Sequence, residues 1–428
     1  MPFASHWPTL ALVAISWMVL LASDGASAVA WALSSAGWIA AMAVVLKRRH
    51  SHVTTTSLAL ALLALAAATT MAIVHRPLSD DVLRYMWDGH AVLQGGTPYM
   101  PPALSSMKHQ TVFDGTIVSL PDAIKYSELP TIYPPGSQLL FTLCSAVAGS
   151  SMPLWIATWA AIVGAAAVAA WLLARPSERL LITMVATCPM LLRHGVLDPH
   201  VDLPMGLLVL LSALLLRRCN DSRAGVLLGC SVAIKYASIV AVPLLVWQLP
   251  KHRVLKIGAG FVVAVVACTA PFLMSRNIVG SLGAFVATFQ SNSLVGHVLL
   301  TSGIAVPTAR MVMALAMAAA GMAVLWRFRQ DPFRALAVAS AATLCLSPVA
   351  HPWYMALPVV LFPLAPTRSA LALTISMAAY HVAWSAYSNG GVWEETTAVL
   401  MCEWIPVMAC VVWDVRAPWS LSDEVPGA

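Results

Sequence analysis

The chain has 428 residues, of which 60% are hydrophobic and only 10% are charged, and its mean hydropathy is +0.80. This composition excludes a soluble globular protein and predicts a polytopic helical membrane protein. The net charge of +6 does not indicate a nucleic-acid partner, because the basic residues form short clusters between apolar runs, as membrane topology requires.

Runs of apolar residues predict about twelve transmembrane helices. Several runs are shorter than the roughly 20 residues that a straight helical span needs, so their boundaries are loose. The runs are Trp7 to Ser23, Ser27 to Leu46, Val53 to Ile73, Met152 to Ala174, Leu180 to Leu192, Leu203 to Leu216, Ile257 to Met274, Met311 to Trp326, Ala335 to Ala350, Tyr354 to Leu364, Ala370 to Ala386 and Thr396 to Val412.

Two further apolar stretches, Gln138 to Gly149 and Ala224 to Leu249, are too short to cross twice. A single crossing would reverse every later span, so we expect re-entrant or interfacial segments there. The predicted fold is therefore an all-α polytopic membrane protein. We expect one integral-membrane domain over residues 1–413, with a large outer loop over 76–135, and a short cytoplasmic tail over 414–428.

With those two stretches set aside, the clusters of Lys and Arg all fall on one side of the membrane, which the positive-inside rule makes cytoplasmic. They are Lys47-Arg48-Arg49, Arg175 with Arg179, Arg217-Arg218 with Arg223, Lys251 with Arg253 and Lys256, Arg327 with Arg329, Arg368 and Arg416. The polar regions on the other side are Arg76 to Pro135, Arg193 to Asp202, Arg276 to Arg310, His351 to Trp353 and Asn389 to Glu395. We therefore expect a protein of the inner (plasma) membrane whose active site faces the extracytoplasmic side.

The first large outer region opens with two adjacent carboxylates, Asp80 and Asp81, soon after an apolar run. Ser79 suits an N-cap and Gly95-Gly96 would end a helix, so we predict a helix of about four turns along the membrane surface. Neighbouring residues of a helix point in different directions, so we expect only one of the two carboxylates to face a substrate. Spacings of three and four place these side chains on one face: Asp81, Arg84, Tyr85 and Asp88.

An alternative is that the two aspartates have only a structural role. They would complement the helix dipole and pair with Arg84. The rest of the loop favours a function, because it carries rigid turns beside aromatic residues at Gly95 to Tyr99 and at Thr131 to Gly136. Such turns suit a shaped groove better than a solvated tether.

An aspartate at the outer membrane surface with cationic neighbours meets the needs of sugar transfer from a lipid phosphate. A base must remove the proton of the acceptor hydroxyl as it attacks the anomeric carbon, and cations must stabilise the leaving phosphate. Asp80 or Asp81 would be the base. The candidates for contact with the phosphate are Arg193, His194, His200, Arg84 and Lys235.

Lys235 lies near the middle of its apolar stretch, where an ionisable side chain indicates a function by default. Pairing with backbone carbonyls at the turn of a re-entrant hairpin would explain it equally well. Prolines on both sides of His351 fix its ring at the outer end of a span, although a structural kink is an equal alternative. The tryptophans Trp353, Trp384 and Trp393 suit an interfacial belt.

His200 and Asp202, with Asp198 nearby, have donor atoms that suit a divalent metal ion. Their spacing matches no specific metal site. We therefore expect no cofactor to be required, with a divalent ion as the alternative.

The motifs of the outer regions follow one another in a definite order: Ser79-Asp80-Asp81, Arg84-Tyr85, Trp87-Asp88-Gly89, Gly95, Pro98-Tyr99, Tyr133-Pro134-Pro135, His200-Val201-Asp202, Gly225 to Gly229 with Lys235, Ser347-Pro348 and His351-Pro352-Trp353-Tyr354. In this order and spacing they resemble the GT-C superfamily, and within it the bacterial polyprenyl-phosphate-hexose-dependent glycosyltransferases of the mannosyltransferase type. The chain departs from the pattern where Pro199-His200-Val201-Asp202 stands for Gly-His-x-Asp, and where Arg193-His194 stands in place of an acidic residue.

The resemblance implies a GT-C-like bundle and an inverting transferase that moves a hexose, expected to be mannose, from a polyprenyl-phosphate donor. The acceptor would be an extracytoplasmic glycan or a glycolipid, and membrane lipids would surround the protein. Asp80 or Asp81 would be the base, and the donor phosphate would be bound by Arg193, His200, Lys235 and Arg84. The residues expected to bind substrate are Tyr85, Asp88, Tyr99, Tyr133, Asp202, His351, Trp353 and Tyr354.

Two alternatives share much of this architecture. A lipid-linked oligosaccharide ligase or polymerase would use a lipid pyrophosphate as its donor. A transporter or flippase would be expected to show inverted repeats with broken helices in matching positions, whereas the interrupted stretches of this chain are unmatched.

Overall fold

The computed structural model describes residue 13 and residues 27–47, 55–74, 79–106, 109–113, 116–275, 277–388 and 393–419. Within these ranges the chain is helical apart from one hairpin of two short strands. The first predicted span, Trp7 to Ser23, lies outside the described residues except for Val13, and so do residues 420–428 of the predicted tail.

The first half of the chain leads from two long helices, through the outer loop, to a central helix. Its elements are α1 (Ala28–Lys47), α2 (Thr55–Val74), α3 (Asp81–Leu93), a 3₁₀ turn (Pro102–Leu104), β1 (Gln110–Phe113), β2 (Thr116–Ser119), α4 (Leu120–Ala123), α5 (Pro135–Ala148), α6 (Met152–Leu173), α7 (Pro176–Ala186), α8 (Pro189–Leu192), a π-turn (Arg193–Leu197) and α9 (Asp202–Arg217). The strands pair antiparallel, with Gln110 opposite Ser119.

The second half alternates long helices with short ones. Its elements are α10 (Asp221–Ile234), a 3₁₀ turn (Tyr236–Val240), α11 (Ala241–Val246), α12 (Lys251–Thr269), a 3₁₀ turn (Ala270–Phe272), α13 (Leu282–Thr288), α14 (Leu294–Thr301), α15 (Val306–Arg327), α16 (Pro332–Leu346), a 3₁₀ turn (Pro352–Met355), α17 (Ala356–Val360), α18 (Arg368–Ser376), a 3₁₀ turn (Met377–Ala379), α19 (Tyr380–Ser388) and α20 (Thr397–Arg416).

Within the described ranges, five helices are long and apolar enough to cross a membrane, namely α1, α6, α12, α15 and α20. A sixth span results if α7 is counted together with α8 and the π-turn, which meet it at a bend of 60°. The chain is therefore an all-α polytopic membrane protein with five or six candidate spans and several shorter apolar helices. The expected count of about twelve spans is not shown.

Two of the predicted spans are broken into shorter pieces. The run Tyr354 to Leu364 forms only a 3₁₀ turn and the five residues of α17, all of which are buried. Pro363 prevents this helix from continuing, because proline has no N–H to donate. The run Ala370 to Ala386 forms α18 and α19 with a 3₁₀ turn between them.

The centre of the bundle is α9. All of its residues are buried except Leu208 and Arg217, and it packs against α6, α10 and α17. A helix that is apolar on every side must be surrounded by other helices. The outermost described helices are α12 and α15, because only 17% of the residues in each of these candidate spans are buried. Between the polar residues at the helix ends, their exposed side chains are apolar, as lipid contact requires.

Several of the basic residues predicted to be cytoplasmic gather at one end of this bundle. The Arg217 guanidinium, at the end of α9, lies 6.0 Å from the centre of the Phe333 ring, and Arg334 donates a hydrogen bond to the carbonyl of Trp419. We call this the basic end, defined by Arg217, Arg253, Arg327, Arg334 and Arg368. Asp202 begins α9 at the opposite end, about 22 Å away at 1.5 Å per residue.

Helices α10 and α12 run side by side in the same direction. At their N-termini the Arg253 guanidinium donates to the carboxylate of Asp221 at 2.7 Å. The chain between Ile234 and Lys251 must therefore return to the end from which α10 starts. Lys235 lies at the turning point of this excursion.

Glycines allow the two helices to approach closely. A Cβ atom on Gly225 would lie 2.1 Å from the carbonyl oxygen of Ile257, and one on Gly260 would lie 2.2 Å from that of Ser222. Small residues that let helix backbones meet in this way are typical of membrane bundles.

We predict that Gly260→Ala destabilises the protein by about 1–3 kcal/mol, because the added methyl group must displace backbone atoms of α10. The unfolding midpoint of the purified protein in detergent measures the effect. Gly258→Ala is the matched control, since a Cβ at this position meets no atom within 4 Å. Equal midpoints for the two variants would contradict the close packing of α10 on α12.

Candidate active site

Four segments that are far apart in sequence meet at the end of the molecule opposite the basic end. A helix begins or ends in each of these segments. The N–H and C=O groups there that have no partner within the helix make the surroundings polar. The start of α3, the start of α9, the end of α10 and the 3₁₀ turn before α17 contribute the residues that we call the site cluster: Asp81, His200, Asp202, Lys235, His351, Trp353 and Tyr354.

The contact between Asp81 and His200 joins α3 to the segment before α9. Oδ2 of Asp81 lies 3.4 Å from Nε2 of His200. The other ring nitrogen, Nδ1, donates to the carbonyl of Asp198 at 2.8 Å, which fixes the orientation of the imidazole. The Asp198 carboxylate in turn accepts the backbone N–H of Ser79 at 3.1 Å, so it also anchors the start of α3.

This contact controls the charge of both partners. Burial by itself would raise the pKa of Asp81, but the His200 imidazole and the positive charge of Lys235 favour the carboxylate and leave its pKa below the usual value. Burial would lower the pKa of His200, and the opposing effect of Asp81 leaves it raised. The Asp81 side chain is still 39% exposed, so a ligand can reach it.

Asp80 differs from its neighbour. It occupies the N-cap position of α3, one residue later than the sequence predicts, while the Ser79 hydroxyl accepts the N–H of Asp81 at 3.2 Å. Burial raises the pKa of Asp80, and the adjacent charge of Asp81 raises it further. The predicted helix is confirmed, and the two carboxylates lie in different electrostatic surroundings.

Lys235 and Asp202 form a buried ion pair between the end of α10 and the start of α9. The ammonium Nζ lies 2.6 Å from Oδ1 and 2.8 Å from Oδ2 of Asp202. The same Nζ lies 3.7 Å from the centre of the Tyr354 ring, a cation–π contact. The sequence left open a pairing of Lys235 with backbone carbonyls, and the structure pairs it with a carboxylate.

A stack of three rings joins α9 to the 3₁₀ turn before α17. The His200 and Trp353 centroids are 3.9 Å apart at 17°, and those of Trp353 and His351 are 4.4 Å apart at 16°. Burial lowers the pKa of His351 to about 3, so its ring is neutral at pH 7. His351 can therefore accept as well as donate a hydrogen bond.

Arg193 and His194 lie on the π-turn, a wide helical turn that often occurs at functional sites. Nη2 of Arg193 lies 3.4 Å from Oδ2 of Asp198, and the guanidinium is 5.4 Å from the Trp31 ring. His194 stacks on His381 at 5.4 Å, and neither imidazole has a hydrogen-bond partner among the described residues. The two rings thus retain hydrogen-bonding capacity beside the site cluster.

Arg84 and Asp88 are engaged with each other. Nε of Arg84 donates to Asp88 at 2.9 Å, and the same carboxylate accepts the Thr131 hydroxyl at 2.7 Å and the Gln138 amide at 3.2 Å. Asp88 is completely buried. These contacts attach the segment before α5 to α3. The expectation that Arg84 meets a phosphate and Asp88 a substrate stays a prediction.

The tyrosines of the outer loop form a wall beside α3. The hydroxyl groups of Tyr85 and Tyr133 are 3.0 Å apart, and the Tyr99 hydroxyl donates to the carbonyl of Tyr133 at 3.3 Å. Tyr85 also stacks on Phe141 at 4.3 Å. These contacts join α3 to the outer loop and to α5, and a role of the three tyrosines in substrate binding stays a prediction.

His200 and Asp202, which could serve as metal ligands only in the alternative to a metal-free site, each contact another side chain of the protein. Across residues 27–47, 55–74, 79–106, 109–113, 116–275, 277–388 and 393–419, no group of three or more His, Cys, Asp or Glu side chains has a suitable arrangement. Asp202 is bound to Lys235, and His200 is directed at Asp81.

Sequence reasoning missed several polar residues next to the site cluster. His381 is one. Asn292, Glu395 and Glu403 form a hydrogen-bonded group, in which the Asn292 amide also donates to the carbonyl of Ala350, the residue before His351. His381 and Glu403 fall within the predicted spans Ala370 to Ala386 and Thr396 to Val412. An ionisable residue inside an apolar run is a signal of function, and it would have singled out both.

Comparison with known families matches residues 131–352 to glycosyltransferase family 87. The matched region contains His200, Asp202, Lys235 and His351, while Asp80 and Asp81 precede it. No curated protein and no solved structure matches the chain. Because the match covers just over half of the chain, the resemblance to the GT-C superfamily is confirmed, and the protein belongs to glycosyltransferase family 87, a family of GT-C-type membrane glycosyltransferases.

Proposed function

We propose that this glycosyltransferase transfers a hexose, expected to be mannose, from a polyprenyl-phosphate donor to a hydroxyl of a glycan or glycolipid, with Asp81 as general base. The observation that carries the proposal is the site cluster itself. The Asp81 carboxylate is accessible and contacts His200, and the charge of Lys235 acts on it. It lies at the start of a helix in a membrane bundle. Membership of a glycosyltransferase family excludes the alternative of a non-enzymatic transporter.

The chemistry needs a base and a stabilised leaving group. Asp81 takes the proton of the acceptor hydroxyl, the acceptor oxygen bonds to the anomeric carbon, and the bond from that carbon to the phosphate oxygen breaks. Attack from the side opposite the phosphate inverts the anomeric carbon. Asp81 is favoured over Asp80 because it contacts His200 and has the lower pKa, so that it is ionised throughout the neutral range.

Lys235 and His200 are the cations in reach of the leaving phosphate. A charged hydrogen bond to phosphate strengthens as negative charge develops on the leaving oxygen. Asp202 holds the Lys235 ammonium in place, and His351 offers a neutral imidazole on the far face of Trp353. Arg193 stands behind His194 on the π-turn and adds positive charge to the same end.

An apolar pocket in the bundle supports a lipid-linked donor. It lies between α2, α6, α8 and α9, and its walls include Leu65, Val163, Leu192, Leu203 and Leu207. Leu192 adjoins Arg193 and Leu203 adjoins Asp202 in the chain, so part of the pocket wall comes from the segments that carry the polar cluster. A prenyl chain in it would bring its phosphate to the site.

The separation of the two ends supports an extracytoplasmic active site. The basic end contains arginines that the positive-inside rule assigns to the cytoplasm. The site cluster lies at the other end of α9, about 22 Å away by helix length. A donor carrying its sugar on the outer leaflet would meet Asp81 there.

Asp81→Asn is expected to reduce sugar transfer by about 10²–10⁴-fold, because the amide cannot accept the proton. Transfer from a labelled polyprenyl-phosphate mannose to membrane acceptors, resolved by mass, measures it. Asp80→Asn is the matched control and should retain most of the activity. Wild-type transfer by Asp81→Asn would refute the base assignment, and transfer only from a lipid pyrophosphate would favour the ligase or polymerase alternative.

Lys235→Met is expected to raise KM for the donor by about tenfold or more, since a hydrogen bond to a charged group contributes about 1.5–3 kcal/mol. This variant also leaves Asp202 unpaired, so it is compared with the double variant Lys235→Met, Asp202→Asn, which removes the uncompensated charge. The double variant should fold and still bind the donor weakly. Lys256→Met, at the exposed start of α12, should leave KM unchanged. Donor affinity that returns in the double variant would contradict a phosphate contact.

His200→Gln is expected to shift the acid limb of the pH profile of kcat/KM to higher pH. In the wild type the pKa of Asp81 is lowered, so the base is lost only at low pH. Without the imidazole the burial of Asp81 is less well opposed and its pKa rises, so protonation begins at higher pH. His252→Gln, exposed at the basic end of α12, is the control. An acid limb that stays in place in His200→Gln would show that His200 does not hold the charge of Asp81.

A further inference from the structure

A second cluster of aromatic side chains adjoins the site cluster. It lies between α19 and the start of α20. The centroid of Trp393 is 5.1 Å from that of Tyr380, 6.0 Å from that of Tyr387 and 6.1 Å from that of Trp384. We call these four rings the aromatic platform. Tyr387 is 43% exposed and Trp384 and Trp393 are half-buried, so the platform is open at one edge.

A carboxylate is fixed within the platform. Oε1 of Glu395 accepts the indole N–H of Trp393 at 3.0 Å and the hydroxyl of Ser291 at 2.9 Å. Oε2 accepts the backbone N–H of Asn292 at 2.6 Å. An ionised carboxylate has about four lone-pair sites, so Glu395 can accept further hydrogen bonds from a ligand.

A second carboxylate lies behind the first. The Asn292 amide donates to Oε1 of Glu403 at 2.7 Å and to the backbone of Ala350 at 2.8 Å. Glu403 is completely buried, and its Oε2 has no hydrogen-bond partner among the described residues. Nor does Nε1 of Trp384 have one there. Oε2 of Glu403 and the indole N–H of Trp384 are thus available to a ligand, although buried polar atoms are normally hydrogen-bonded within the protein.

The platform is connected directly to the site cluster. The Tyr380 hydroxyl lies 3.5 Å from Nδ1 of His351. The N–H of Ala350, the residue before His351, donates to the carbonyl of Ser291 at 3.1 Å. On the other side, the Lys125 ammonium lies 5.9 Å from the Tyr387 ring, and its charge acts on Asp80. The platform therefore extends from the twin aspartates to His351.

This arrangement differs from the interfacial belt that the sequence suggested for Trp384 and Trp393. Belt residues lie singly at the lipid boundary, with the ring toward lipid and the polar atom toward water. Here the rings pack edge to face on one another, and the indole N–H of Trp393 is bound by a carboxylate inside the protein. Aromatic surfaces that surround a few fixed polar groups are characteristic of ligand sites.

We infer that the aromatic platform with Glu395 binds the sugar of the acceptor and presents its hydroxyl to Asp81. This inference rests on the proposed function, since it specifies where the second substrate lies. Aromatic faces pack against the C–H faces of a pyranose ring, while carboxylates accept hydrogen bonds from its hydroxyl groups. The Glu395 carboxylate would repel an anionic sugar, so the ligand is a neutral, hydroxyl-rich glycan.

The test measures acceptor binding separately from transfer. Tyr387→Ala and Trp393→Ala should raise KM for the acceptor by about tenfold or more and change KM for the donor by less than about threefold. The same variants should weaken binding to an array of neutral hexose disaccharides probed without donor. Trp393→Phe keeps the ring and should recover most of the affinity. Trp326→Ala, which removes a 76% exposed tryptophan at the other end of the molecule, should leave both KM values unchanged.

Unchanged acceptor KM and unchanged glycan binding in Tyr387→Ala and Trp393→Ala would overturn the inference. Equal increases of the donor and acceptor KM would overturn it too, because they indicate a general loss of structure. If Asp81→Asn abolishes transfer while no disaccharide binds, the proposed function stands and this inference fails. If disaccharides bind through the platform but no polyprenyl-phosphate sugar is used, the glycan site stands and the donor assignment fails.

Discussion

Lys235 and Asp202 come from adjoining ends of two antiparallel helices, and only 3% of the Asp202 side chain is exposed where they meet. Charges in such a place are tolerated when they are paired, and removal of one partner costs roughly 3–5 kcal/mol. The pair holds the end of α10 against the start of α9. It also keeps the ammonium over Tyr354 and so joins the 3₁₀ turn before α17 to both helices. The geometry of the site follows from this contact.

The remaining charges of the site are balanced around Asp81. Its carboxylate stays ionised although it is partly enclosed, because His200 and Lys235 compensate the loss of water. We propose that the same two residues bind the donor phosphate. The proposed base and phosphate site would then share one small volume, where opposite charges make each other less unfavourable. Asp80, one residue away, has its pKa raised instead.

The two proposed substrates would approach Asp81 through different elements. The apolar cavity between α2, α6, α8 and α9 adjoins Arg193 and Asp202, and suits the chain of a lipid. The aromatic platform on α19 and at the start of α20 adjoins His351, and suits a neutral sugar. The stack of His200, Trp353 and His351 stands between them. Such a division lets the donor remain in the bilayer while the acceptor enters from the aqueous side.

The sequence alone determined the class of the protein, because hydropathy and charge clusters depend only on local composition. It also determined that Asp80 and Asp81 begin a helix, since capping residues and glycines act within a few positions. The GT-C motifs in their order predicted the superfamily. These features could be predicted from the sequence because each depends on residues that are close together along the chain.

Only the tertiary structure decided which side chains meet. Asp81 rather than Asp80 contacts His200, and Arg84 forms an ion pair with Asp88. Lys235 pairs with Asp202 rather than with carbonyl groups. The contact between Asp81 and His200 and that between Lys235 and Asp202 link different helices, and the sequence offers several partners for each charge. The burial of a charge selects the partner that packing brings within reach, and packing depends on the whole bundle at once.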